Sequence, residues 1–390
     1  LSAPAPAPAV EDVARVAREL ERHCAWPGAF AGCELRIDAW LRLPRDGVGV
    51  RFELAAPLPV RHALNGCFHL RLGESDGRHE IALEGVGAAL MPFPRDEALP
   101  GLHAAVHAGG QPLSWRPGRR AVVRARAAEP TPYWKFVDRK AFARVQALLA
   151  RPGMEPLFAS GLVRPVAIRE EWSAVAWAQA RGTSLHDLAA AGAPIDVVRV
   201  AAAVRALRES GRDLLSSGAL PPFAAEAEIE TLERARQFAA RVRPEVALAV
   251  AARARRLEPP AGDAAPALLH RDLHDKQLFF RDDGGDGAGC DWIDVDTLAA
   301  GPHELDETNL AAHLWLRAEQ GSAPAGRGHA RALLAAFGHD PDRLAGAARF
   351  FLATSLLRLA CVYAVRPRWR RVPDGLLAAA DSVVTRGSLP

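Results

Sequence analysis

The sequence predicts an α+β fold in two lobes, an N-terminal antiparallel sheet lobe followed by a larger helical C-terminal lobe. Three observations carry that expectation. Short alternating or β-branched stretches divided by turns recur from Cys33 to Leu90 and again from Arg119 to Trp177. Beyond Leu185 the apolar residues return at helical spacing almost without interruption. The one break in that helical half is His270-Arg-Asp-Leu-His-Asp-Lys-Gln277, held between the apolar runs Leu268-Leu269 and Leu278-Phe-Phe280 and followed by Trp292-Ile293-Asp294.

Each element has a local reason. Residues 1–9 alternate Ala and Pro and lack the basic start and apolar core of a signal peptide, so they read as an extended arm. Val13, Val16, Ala17 and Leu20 give residues 10–24 a helical period. Glu34–Asp38, Val48–Leu54 and Cys67–Leu72 read as strands between the turns Arg45-Asp-Gly47 and Glu74-Ser-Asp-Gly77. The Pro-rich stretch Met91 to Gly101 reads as a connector, and Arg119–Arg126 and Tyr133–Val137 as two further strands. Asp138 starts a helix that runs to Ala150, Val163–Ile168 and Ser173–Trp177 are strands, and Ser184 caps a helix from Leu185. Ile195–Ser216, Glu226–Arg256 and several segments between His303 and Arg386 complete the helical half. The domain division is therefore 1–9 as an arm, 10–90 as a helix plus a β-rich extension or cap, 91–178 as the small lobe, and 179–390 as the helical lobe.

Composition narrows the function without choosing it. With 49% apolar and 24% charged residues, 390 residues suffice for a sizeable core. A net charge of +3 with dispersed basic residues gives no electrostatic case for nucleic acid. Five scattered cysteines without a Cys-x-x-Cys pair argue against a disulfide framework or structural zinc and suit a cytoplasmic setting. No uninterrupted run of about 18 apolar residues predicts a membrane span. Of 49 basic residues only Lys135, Lys140 and Lys276 are lysines, which draws attention to each of them.

Phosphoryl transfer needs a base for the attacking hydroxyl, oxygen ligands for magnesium and a cation on the nucleotide phosphates. Asp272 suits the first role, the carbonyl of Gln277 and the carboxylate of Asp294 the second, and Lys135 in the strand Tyr133–Val137 the third. The protein-kinase catalytic loop, His-Arg-Asp-Leu-x-x-x-Asn, agrees in register with His270 to Gln277, with Gln in place of the final Asn. The segment resembles still more closely the aminoglycoside phosphotransferase and choline-kinase-like family, whose loop reads His-x-Asp-Leu-His-x-x-Asn. Gly301-Pro-His-Glu-Leu-Asp306 resembles that family's later Gly-Asp-Pro-x-x-Asp-Leu element, without its first Asp.

This resemblance covers Met91 to the C-terminus and implies a protein-kinase-like fold with ATP and Mg2+ bound between a sheet lobe and a helical lobe. It implies Asp272 as the catalytic base, Gln277 and Asp294 as metal ligands, Lys135 as the phosphate lysine and Asp306 as a brace for the loop. Ser173 to Gln179 would then lie beside adenine, with Ala176 and Ala178 as its contacts. The partner would be a small-molecule hydroxyl acceptor, a sugar, an aminoglycoside or an amino alcohol. Glu304, Asp306, Glu307 and His313 are polar residues in the region where the acceptor is expected. The chain departs from the pattern in lacking Gly-x-Gly-x-x-Gly before the strands and any Glu in the helix after Lys135. Two alternatives stay open: a nucleotide-binding pseudokinase, and a metal-dependent hydrolase using His270, Asp272, His274 and Asp294.

Overall fold

In a computed structural model of the protein, the described residues are 34–42, 48–55, 68–72, 81–83, 88–126, 132–260, 265–281 and 289–390. The expected arm, the helix over residues 10–24, Cys24, Cys33, Cys67 and the turns at 45–47 and 74–77 lie outside them. The chain divides into two compact units. One is Leu1–Gln146 with Arg164–Gln179 and Val365–Arg368, and the other is Ala147–Val163 with Ala180–Ala364 and Trp369–Pro390.

The first unit holds two five-stranded sheets, each antiparallel throughout. The earlier sheet contains β1 (Glu34–Arg42), β2 (Val48–Ala55), β3 (Phe68–Leu72), β4 (Ile81–Leu83) and β5 (Ala88–Pro92), in the order β1-β2-β3-β5-β4. The later sheet contains β6 (Gln111–Arg116), β7 (Arg120–Arg124), β8 (Tyr133–Val137), β9 (Pro165–Arg169) and β10 (Ala174–Trp177), in the order β6-β7-β8-β10-β9. The helix Arg139–Leu149 follows β8, and Asp138 caps it by accepting the Ala141 N–H at 2.9 Å. Trp115, Val123, Phe136 and Ala174 pack with Leu99 and Leu102 as the core of this sheet. β6 and the short helix Leu102–His107 were not foreseen, because Pro112 and the paired glycines 109 and 110 obscure the periods on which such readings depend.

The second unit is helical around a few short strands. Ser184 caps the Leu185–Ala190 helix as expected, its Oγ accepting the Asp187 N–H at 3.0 Å. The expected helix Ile195–Ser216 is two helices, Val197–Ser210 and Arg212–Ser216, meeting at Gly211, where a Cβ would stand 2.3 Å from Leu268. The expected Glu226–Arg256 helix is likewise two, Ala225–Ala240 and Pro244–Ala254, divided just before the proline that begins the second. The helices Glu304–Glu319, Gly326–Phe337, Gly346–Ala364 and Val372–Arg386 follow. Gly346–Ala364 is long and apolar enough to cross a membrane by length and composition, yet 78% of its apolar window is buried within the protein, as in a core helix. Among them run β11 (Thr183–Ser184), β12 (Ala267–Leu269), β13 (Leu278–Phe280), β14 (Cys290–Trp292) and β15 (Ala299–Gly301). β12 pairs with β15, and β13 lies between β11 and β14. The fold class is the one expected, antiparallel sheet first and a larger helical unit after it.

Candidate active site

The loop His270–Gln277 joins β12 to β13, and Asp294 follows β14 by two residues. Short strands thus bring the motif and the later aspartate to one end of one small sheet. Ile293 N–H donates to the Gln277 carbonyl at 3.3 Å, tying the two segments together. His270 is fully buried, and its Nε2–H donates to the Ile293 carbonyl at 2.9 Å while Thr297 Oγ1 donates to the His270 carbonyl at 2.8 Å. Asp306 accepts two backbone N–H groups, from His270 at 2.6 Å and from Arg271 at 2.9 Å, so it braces the loop immediately before Asp272.

Three non-glycine residues have left-handed backbone among the described residues, and two of them, Arg271 (φ 69°) and Asp294 (φ 65°), sit in this site. Such conformations cost about 1–3 kcal/mol each and persist only where surrounding contacts impose them. Here they aim the residues beside them: Arg271 turns the chain so that Asp272 is half-buried between it and the fully buried Leu273. The Arg271 guanidinium stacks 4.2 Å from the Phe223 ring centroid.

Gln277 is buried, and its Oε1 accepts the His274 N–H at 3.1 Å. Its Nε2 lies 3.5 Å from Asp294 Oδ2. As placed, Asp294 offers a carboxylate oxygen of the kind that holds magnesium, while Gln277 presents its amino group to it. Gln277 would offer its own oxygen once the amide turns over and releases His274.

Lys135, Ala176 and Ala178 lie in the other unit. Lys135 on β8 is in register with Val175 on β10, so these two share one face of the sheet, whereas Ala176, in register with Trp134, lies on the other. Ala176 is fully buried in the ladder between β8 and β9. The Ala178 N–H donates to the Arg164 carbonyl at 3.2 Å, a bond that a base contact through this donor would replace. Gln146 in the helix after Lys135 donates to Glu170 at 2.6 Å. The turn between β6 and β7 is short, and Asp96 occupies it: Oδ2 accepts the Gly118 N–H at 2.8 Å and Trp115 Nε1–H at 2.9 Å. A carboxylate therefore takes the Gly118 N–H at the Pro117-Gly118 turn, the nearest turn in a chain that lacks the Gly-x-Gly-x-x-Gly pattern.

Some expectations are redirected. The four residues His270, Asp272, His274 and Asp294 do not form a metal-binding cluster; among the described residues such a group is found at His274, Asp275 and His313. Asp275, fully buried, is gripped by Arg317 through Nε at 2.7 Å and Nη2 at 2.8 Å and by His186 Nδ1 at 2.7 Å. Burial alone would push its carboxyl up, but these hydrogen bonds outweigh it and hold the carboxyl well below the usual carboxylate range. A guanidinium already neutralises this carboxylate, so the trio is not suited to a further cation. The polar residues where the acceptor was expected also turn inward. Asp306 braces the loop, Glu307 pairs with Arg208 and with His339 at 2.7 Å, and the His313 ring stacks on His274 at 4.9 Å. Asp275, His186, Asn309, Arg317 and Asp96 were not singled out from the sequence, since nothing local distinguishes a buried partner from a solvated one.

No protein-family model and no curated protein sequence matches the chain. Among solved structures it is similar to an aminoglycoside phosphotransferase from Streptomyces rimosus, at 18% identity and a TM-score of 0.44, covering 68% of this chain and 96% of that one. It is similar also to an aminoglycoside 2'-phosphotransferase in its GDP complex, at 14% identity and a TM-score of 0.46, covering 69% and 91% of the two chains. A Plasmodium vivax ethanolamine kinase matches at 10% identity and a TM-score of 0.40, covering 70% and 82%. The chain's own topology, a β6-β7-β8-helix-β9-β10 sheet unit and then a helical unit with its polar loop between β12 and β13 and an aspartate after β14, is the α+β order of antiparallel sheet and helix expected from the sequence.

Proposed function

We propose that the protein is an ATP-dependent phosphotransferase that phosphorylates a hydroxyl of a small molecule, a sugar, an aminoglycoside or an amino alcohol. The observation that supports this reading above others is the braced loop. Asp306 holds the two amides before Asp272, and Gln277 at the far end of the same loop lies against Asp294. Asp272 orients the acceptor hydroxyl and takes its proton as the oxygen forms a bond to the γ-phosphorus and the bond from that phosphorus to the β-phosphate oxygen breaks. Asp294 and Gln277 are the residues that would hold magnesium, which when bound neutralises charge on the phosphate oxygens. Lys135 is assigned to the nucleotide phosphates, and Ala176 and Ala178 to the base.

The test is an ATP-consumption screen across hydroxylated metabolites with Asp272→Ala beside the parent. Turnover is expected to fall by a factor of about 10² to 10⁴ while nucleotide-dependent thermal stabilisation is retained. Undiminished turnover in that variant would remove Asp272 as the base. A second reading, nucleotide binding without transfer, is favoured by Asp96 in the β6–β7 turn and by the inward Gln277 carbonyl. Stabilisation by nucleotide with no turnover on any acceptor would select it.

A further inference from the structure

The helix Glu304–Glu319 meets the catalytic loop with more than its first turn. Asp306 accepts the His270 and Arg271 N–H groups, and Asn309 Nδ2 donates to the Leu273 carbonyl at 2.7 Å. His313 stacks on His274, and Arg317 forks onto Asp275. Positions 306, 309, 313 and 317 fall within about 80° of one another around a helix turning about 100° per residue, so they form one stripe. The loop residues they engage, 270–271, 273, 274 and 275, follow in the same order along the chain.

The stripe is itself supported. Arg358 donates to Asn309 Oδ1 at 2.7 Å and to Glu228 Oε1 at 3.1 Å, which leaves the Asn309 amino group as the donor to the loop. Arg317 Nη1 donates to Gln320 Oε1 at 2.7 Å, so the guanidinium is fixed on both sides. From the opposite side His186 donates through its backbone N–H to the Asp275 carbonyl at 2.9 Å and through Nδ1 to the Asp275 carboxylate. Asp272 therefore lies between two residues whose backbone polar groups are held, Arg271 by Asp306 and Leu273 by Asn309. Asp275, in turn, anchors the stretch between Asp272 and Gln277.

We infer that Asn309 and Arg317 are positioning residues, which act through Leu273 and Asp275 to set the backbone that carries Asp272 and Gln277. The inference rests on the phosphotransfer reading for its kinetic consequence but not for its structural one. Asn309→Asp is isosteric and keeps the acceptor for Arg358, but sets an anionic oxygen against the Leu273 carbonyl. Arg317→Lys keeps the charge but replaces a fork with a single point contact.

The test combines hydrogen exchange with steady-state kinetics on the full chain, using magnesium ATP and the acceptor found in the screen. Both variants are expected to speed exchange of the 270–277 amides by about tenfold while the Gly346–Ala364 helix keeps its protection. They are expected to lower kcat by about a hundredfold with the nucleotide KM held within about threefold. Unchanged loop exchange in a folded variant, or a raised KM with kcat preserved, overturns the inference. Faster loop exchange in variants of a parent that turns over no acceptor supports the helix as scaffold and counts against the phosphotransfer reading. Should Arg317→Lys unfold the helical unit, Asn309→Asp carries the test alone.

Discussion

Gln277 reaches back across the loop that carries it, with Oε1 on the His274 N–H and Nε2 toward Asp294. Asparagine, one methylene shorter, is the residue the motif leads one to expect. Two consequences separate cleanly. Gln277→Ala removes the side-chain partner of the His274 N–H in a buried setting, which should cost about 1–3 kcal/mol, read as a lower melting temperature. It should also raise the magnesium concentration needed for half-maximal turnover, read by titration. A lower melting temperature with an unaltered magnesium requirement would confine Gln277 to bracing the loop. The Cys290 and Cys361 thiols are pushed up to about 12 by burial, so they should resist alkylation at pH 8 until the protein unfolds, as mass spectrometry would show.

The short strands of the helical unit depend on close backbone approach. Gly161 has φ +110°, and a Cβ there would stand 1.9 Å from the Cys290 carbonyl oxygen in β14, the strand that leads to Asp294. Its own carbonyl accepts the Trp292 N–H at 2.9 Å, and Val163 N–H donates to the Trp292 carbonyl at 3.0 Å. Gly161→Ala should therefore cost well over the 1–3 kcal/mol or so of an unfavourable backbone region, since backbone must move as well. Gly192, with φ +67° and nothing within 4 Å of its Cβ position, is the control: Gly192→Ala should cost only about 1–2 kcal/mol. Urea midpoints of the two variants make the comparison, and equal losses would refute the role given to Gly161. The Glu304–Glu319 helix shows the same dependence on context, because thirteen of its sixteen residues are buried and its polar stripe faces protein instead of solvent.

At the scale of the molecule, buried ionisable groups set a direction for stability against pH. Burial lowers the His274 and His329 imidazoles and lowers His313 well below the usual value. A folded-state pKa below the unfolded value means that the unfolded chain binds protons first, so stability is full above about pH 6.5 and is lost as pH falls below it. Asp275, depressed by Arg317 and His186, continues the trend in the same sense below about pH 4. Stability should fall between pH 7 and pH 5, with chemical denaturation as the measurement, while the buried Asp306, whose carboxyl burial pushes up, works in the opposite sense. His313→Phe should flatten that slope; an undiminished slope would place the titrating group elsewhere.

The sequence by itself determined the alternation of sheet and helix, the caps at Asp138 and Ser184, and the candidate loop with its later aspartate. These are legible because period, cap and motif are carried by residues close together in the chain. The family resemblance of residues 301–306 implied Asp306 as a brace for the loop, and its contacts with the His270 and Arg271 amides are of that kind. Tertiary structure alone decided that Asp275 meets Arg317 forty-two residues on and His186 eighty-nine residues back, and that Glu307 and His313 face inward. It also decided that Asp96 fills the β6–β7 turn and that Gln277 spends its carbonyl on His274. A charged side chain has the same local signature whether it ends in water or in a buried pair. Only the packing that removes the water chooses between them.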